Sequence, residues 1–191
     1  SALEWSGGSL NGKVKASSAT FSGGDKTIGS AGELTLSGTT NSIGGGAITN
    51  QGKFIKNSTG TTDITAAFDS ASTGTLSADL GTLKLSGGGR VSGTVSVGGK
   101  LEVASNYTFE NAALSGAGEI ELTTATTIFK NSNGSAKVSV KGGNLDFNGT
   151  LSSLGTLALG SGNVTTSAGT ADVSALEWSG GSLNGKVKAS S

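Results

Sequence analysis

The 191-residue chain contains no proline, no cysteine, no methionine and no histidine. Without cysteine there is no disulfide framework, no thiolate nucleophile and no Cys-based zinc site. Without histidine the commonest general base and metal ligand is missing. Charge is thin as well: 13 cations balance 13 anions, and Arg90 is the lone arginine. Such a chain lacks the basic stripe that a phosphate backbone demands, so nucleic acid is not an expected partner. No apolar run approaches the ~20 residues of a membrane-spanning helix, and membrane insertion by this segment is not expected. Nor does a signal peptide open the chain, as expected of an interior repeat of a larger exported protein.

What is present is glycine, at 34 residues, with serine, threonine and asparagine filling much of the rest. Flexible linkers share this composition, but they do not carry apolar residues at strand spacing. The strongest feature is a duplication: residues 1–18 (SALEWSGGSLNGKVKASS) return letter for letter as residues 174–191. The chain therefore reads as one 173-residue unit (1–173) of a tandem array, plus the start of the next identical unit (174–191).

Within the unit, apolar-x-apolar doublets recur: Leu3/Trp5, Leu34/Leu36, Leu83/Leu85, Leu101/Val103, Ile120/Leu122, Leu157/Leu159 and Leu176/Trp178. Alternation of this kind turns one side of a strand inward and the other toward water. Glycine, asparagine and serine punctuate the doublets and supply the turns. Coil starts fall at Ala2, Lys26, Ala47, Gly74, Thr94, Gly116, Ala136, Gly155 and Ala175, evenly enough for the short repeats of a solenoid. That spacing predicts an all-β parallel β-helix (a β-solenoid) with about eight coils per unit, about 38 Å long at ~4.8 Å per coil. The doublets named above then form its stacking core, a structural role and not a catalytic one. The absence of proline agrees, because strands inside such a stack use their N–H groups on both sides. Residues 62–71 (TDITAAFDSA) place Ile64, Ala67, Phe68 and Ala71 on one helical face, yet the Thr and Asp around them favour strand, which is the expectation here.

The runs AITNQGKFIKNSTGTTDITAAFDSASTGTLSADLGTLKLSGGGRVSG, SGAGEIEL, FNGTLSSLGTLALGSGNV and LEWSGGSLNG resemble segments of very large repetitive bacterial surface proteins. The style is similar to filamentous-haemagglutinin-like and autotransporter-type adhesins. That resemblance implies secretion, a parallel β-helix that is usually right-handed, and a role in adhesion or surface structure. It carries no catalytic residue onto this chain.

Candidate chemistry is sparse. The aspartates Asp25, Asp63, Asp69, Asp79, Asp146 and Asp172 are dispersed, and only Asp63, Asp69 and Asp79 lie near enough in sequence to suggest a cluster. Arg90 sits in SGGGRVSG, read as a glycine-rich turn at an exposed corner. Calcium-binding nonapeptides need recurrent GGxGxD, which Gly23-Gly24-Asp25 echoes only once. Threonines within 123–127 and at Thr165 and Thr166 do not repeat coil after coil as an ice-binding face would require. Five glycosylation sequons, at Asn57, Asn106, Asn133, Asn148 and Asn163, arise readily in such a composition. The expectation is a non-enzymatic rod module without cofactor or metal, whose partners are identical repeats stacked head to tail. An isolated unit is expected to polymerise through its open ends. The alternative is an adhesin whose repeated faces bind surface glycans; Tyr107, Phe109 and Trp5 aligned outside on one face would favour it.

Overall fold

The computed structural model describes residues 1–149 and 151–190, with the side chains of all of these except 151–153. It holds twenty strands, from Ala2–Trp5 to Ser182–Ala189, and no helix among the described residues. The strand pairings are parallel, and their registers sort the chain into three faces. Face A carries rungs such as 8–10, 26–28, 48–50 and 68–70. Face B carries 13–16, 33–36, 53–56 and 75–78. Face C carries 2–5, 18–21, 82–85, 100–103 and 119–122. The chain winds A to B to C and repeats, which makes it a three-sided parallel β-solenoid.

Period-two alternation closes the core. Along Glu33–Ile43, Leu34, Leu36 and Ile43 are buried while their neighbours face outward. Long strands turn a corner and serve two faces, as Lys13–Phe21 and Lys53–Ile64 do. At several corners glycine is a steric requirement. A Cβ on Gly38 would sit 1.5 Å from the Ser17 carbonyl oxygen of the coil below. Gly81 has φ +63°, and its Cβ would meet the Gly60 carbonyl oxygen at 2.4 Å.

One column on face C counts the coils. Its register partners run Trp5, Phe21, Ile43, Ile64, Leu85, Val103, Leu122, Val140, Leu159 and Trp178. Trp5 reaches its duplicate Trp178 in nine steps, so the 173-residue unit has nine coils and not the expected eight. At ~4.8 Å per coil the unit rises about 43 Å. Coils differ in length: the shortest runs from Trp5 to Phe21 and the longest, directly after it, from Phe21 to Ile43. Residues 62–71 contribute strand at each end, with a corner at 65–67 between Lys53–Ile64 and Phe68–Ser70.

The core is mainly aliphatic, with edge-to-face aromatic pairs stacked along the axis. Phe109, Phe129 and Phe147 follow one another on face A, with ring centroids 5.1 and 5.9 Å apart. Phe54 of face B and Phe68 of face A meet between faces rather than along the axis, with ring centroids 5.5 Å apart. Two lysines lie fully inside. Lys26 donates to the Gly24 carbonyl at 2.7 Å, with its ammonium 6.0 Å from the Phe21 ring centroid. Lys56 donates to the carbonyls of Ser58 and Leu80, the latter at 2.9 Å, and burial pushes its pKa down.

Candidate assembly interface

The residues that distinguish the two ends of the stack are those of the duplicated coil. In residues 1–18 the partly buried inward side chains are Leu3 and Trp5 from face C, Leu10 from face A and Val14 from face B. All four are half-buried against the core and line one shallow apolar groove at the end of the stack. Above them lies the second coil: Trp5 packs edge-to-face on Phe21 at 5.2 Å, with Leu10 opposite Ile28 and Val14 opposite Leu34. The same sequence at 174–191 is seen from its other side. Leu176 sits on Leu157, Trp178 on Leu159, Leu183 on Val164 and Val187 on Ala171. Trp178, in the last described coil, is 56% exposed.

The remaining stacking positions, Leu34, Leu36, Leu83, Leu85, Leu101, Val103, Ile120, Leu122, Leu157 and Leu159, are each at most 1% exposed. Each lies in the column its alternation places it in. Leu3 and Leu176 are partly buried, as end-coil residues are.

Outside, charge is ordered along the axis. Glu33 lies between Lys13 and Lys53, at 3.8 Å from each. Glu110 lies between Arg90 and Lys130, at 2.7 Å from each. Glu121 lies between Lys100 at 3.0 Å and Lys141. In each triad the acid is on one coil and the two cations are on the coils before and after it. Burial pushes the Glu121 carboxyl upward, but hydrogen bonds from Lys141 and Lys100 outweigh it, so its pKa is lowered. The pKa of Glu110 is lowered by hydrogen bonds from Lys130 and Arg90. These triads escaped the reading of charge as merely sparse. Their signal is nonetheless in the sequence, where each acid is one coil's length from a base on either side.

The candidate chemical residues are separated by the same geometry. Asp63 faces outward on face C and accepts from the Ser86 hydroxyl at 2.6 Å. Asp69 is on face A and accepts from the Arg90 amide at 2.7 Å, while Asp79 pairs with Ser77 at a corner. The three aspartates thus lie apart, each bound to a neighbouring residue. Arg90 is not in a turn: it belongs to the strand Gly89–Val97, and its guanidinium is held by Glu110. Tyr107 and Phe109 are both buried, and burial, with Asp69 and Asp63 adding to it, pushes the Tyr107 phenol up. Comparison with known proteins finds no matching protein family, no matching curated protein and no matching solved structure.

Proposed function

We propose that this protein is a structural rod module of a bacterial cell-surface or extracellular fibre, in which 173-residue units continue one solenoid. The observation that carries the reading is the column from Trp5 to Trp178. The repeat period and the coil geometry agree on a whole number of coils, so the duplicated sequence returns to the same face in the same register. A solenoid unit buries its end columns only by stacking on another coil, and a unit that closes in register can do this indefinitely. The bacterial surface location rests on the resemblance of the repeats in style to large surface adhesins. Direct glycan binding is the weaker reading. Stacking platforms for sugars need exposed aromatic rings, and Tyr107 and Phe109 are used inside the core.

The test is a polypeptide of two and then four successive units, imaged by electron microscopy. Rods that lengthen by about 43 Å per added unit are expected. Compact particles whose longest dimension does not grow with unit number would refute the rod.

A further inference from the structure

At the corner between faces B and C the strand register breaks, and a lysine closes the break from inside. Pairing with the next coil jumps from Asn57 opposite Leu80 to Thr61 opposite Thr82, and Ser58 falls in the gap. Carbonyls buried in such a gap lose their rung partners and must find others. Lys56 provides them. It is fully buried on an inward column between Leu36 and Ala78. Its Nζ donates to the Ser58 carbonyl, to the Leu80 carbonyl at 2.9 Å and to the Ser58 hydroxyl at 3.2 Å. An ammonium has three N–H donors and no acceptor, so each donor here has an oxygen.

The oxygens are themselves held. Ser58 Oγ donates to the Gly38 carbonyl at 2.8 Å, which leaves its lone pairs for the ammonium. Asn41 Nδ2 donates to the same Gly38 carbonyl at 2.9 Å. Gly38, Ser58 and Leu80 belong to successive long strands, so the arrangement ties together the corners of consecutive coils. Gly81 keeps room for the ammonium: a Cβ there would stand 2.8 Å from Lys56 Nζ and 2.7 Å from the Ser58 carbonyl oxygen. None of the three oxygens on Nζ belongs to a carboxylate. A buried ion pair answers charge with counter-charge. Neutral oxygens converging on a cation are instead the chemistry of a monovalent-ion site, where carbonyls replace the ion's water shell. Lys26, also buried, differs: it rests on the Gly24 carbonyl and the Phe21 ring.

We propose that the corner formed by residues 56–58 and 80–81 is a monovalent-cation site of ammonium or potassium size, occupied by the chain's own tethered ammonium. Because the ion is carried covalently, this corner of the fold takes none from its surroundings, whatever the ionic composition outside. The inference concerns the interior of one solenoid and is independent of the rod reading.

The test removes the tether and returns the ion. Lys56→Ala in the full 191-residue chain keeps the oxygens and deletes the stem and ammonium, for which n-propylammonium is the missing piece. Urea midpoints followed by circular dichroism are compared in ammonium, potassium, n-propylammonium and tetramethylammonium chloride, each at about 0.1 M so that screening is equal. Lys56→Ala should have a lower midpoint than wild type, because buried oxygens lose their donors. The three fitting cations should raise it again, by a roughly tenfold shift in the unfolding constant for binding at about 10 mM. Tetramethylammonium, bulky and without an N–H, should not. Lys56→Met, whose side chain fills the space of the stem, should gain from none of the four. A folded Lys56→Ala that responds equally to all four salts, or to none, overturns the proposal. If Lys56→Ala shows no β signal in any of them, wild type decides by nitrogen NMR of its lysine ammonium groups at neutral pH. A slowly exchanging ammonium signal assigned to Lys56 supports the caged cation, and its absence overturns it.

Discussion

Replacing Phe129 with alanine tests whether the solenoid core has the energetics of a close-packed interior or of a loose stack of coils. Phe129 is 1% exposed and lies between Phe109 and Phe147, with centroids at 5.1 and 5.9 Å and interplanar angles of 72° and 73°. Truncating a buried phenylalanine to alanine costs about 3–5 kcal/mol through lost transfer energy and the cavity left behind. Each edge-to-face pair is worth about 0.5–1.5 kcal/mol beyond area, and this site has two. Strands hydrogen-bonded to rungs on both sides cannot move inward to fill the space, so the loss should fall at the upper end of the range. Phe129→Leu keeps most of the apolar volume and separates the contributions. It should lose about 1–3 kcal/mol, chiefly the two aromatic pairs. Urea denaturation followed by circular dichroism measures both variants, with stability taken from midpoint and slope together. A reduced slope for Phe129→Ala would mean that the stack comes apart at the damaged coil, as expected where each coil contacts only its neighbours. A loss below about 1 kcal/mol with an unchanged slope would refute the claim that the phenylalanine column is packed to interior density.

Three other perturbations probe different parts of the same frame. Gly38→Ala drives a Cβ to within 1.5 Å of the Ser17 carbonyl oxygen, a backbone atom of the neighbouring coil, so the corner must shift. A loss of about 3 kcal/mol or more in urea midpoint analysis is expected, and an unaffected variant would show that the corner yields freely. Lys56 is buried against carbonyls, and its folded pKa lies below the ordinary lysine value. The unfolded chain therefore binds more protons between that lowered value and about 10.4, and wild-type stability should rise with pH through this window. Lys56→Met should flatten the rise, measured as urea midpoints from neutral to alkaline pH; an identical slope would remove Lys56 as its source. Glu121 has the same sign in an acid window, because its folded pKa is depressed as well. Its contribution is present above the ordinary carboxylate value of about 4.3 and is lost as pH falls through the lower folded value. Glu121→Gln should cost about 1 kcal/mol at neutral pH, a modest figure because both lysines are partly exposed, and the gap from wild type should close in acid.

The parallel β-solenoid was legible because alternation and glycine punctuation are local signals. The coil number was not, and the reason is geometric. Doublets on faces A, B and C look alike in sequence, so a coil start can slide from one face to the next unnoticed. Ala2 is on face C and Lys26 on face A, Ala47 borders face A and Gly74 borders face B, Thr94 is on face B and Gly116 precedes face C. The steps from Ala2 to Lys26, from Ala47 to Gly74 and from Thr94 to Gly116 each span one coil and one further face. Three such slides conceal one whole coil. The inward turn of Lys56 was also available, because it alternates with Phe54. Its cage of carbonyls was not, since Ser58 and Leu80 belong to corners of two successive coils that only folding brings together. Arg90 misled for a related reason: three preceding glycines look like a turn, but the last of them is already in the strand.

Affinity between coils and choice of coil come from different parts of the cross-section. The inner columns are nearly degenerate: on face C leucine, valine and isoleucine follow one another in no special order, and most rungs could bury most others. Such a core drives stacking strongly but scarcely distinguishes the correct neighbour from the next one along. The outer charges are not degenerate. Glu33, Glu110 and Glu121 each require cations on the coils before and after, and those positions differ in face and place from triad to triad. A slip by one coil therefore preserves most apolar contacts but turns acid–base pairs into unpaired or like-charged ones. Because exposed pairs contribute little stability individually, their value to this chain lies in register. They penalise wrong joins in a structure whose core would otherwise accept them.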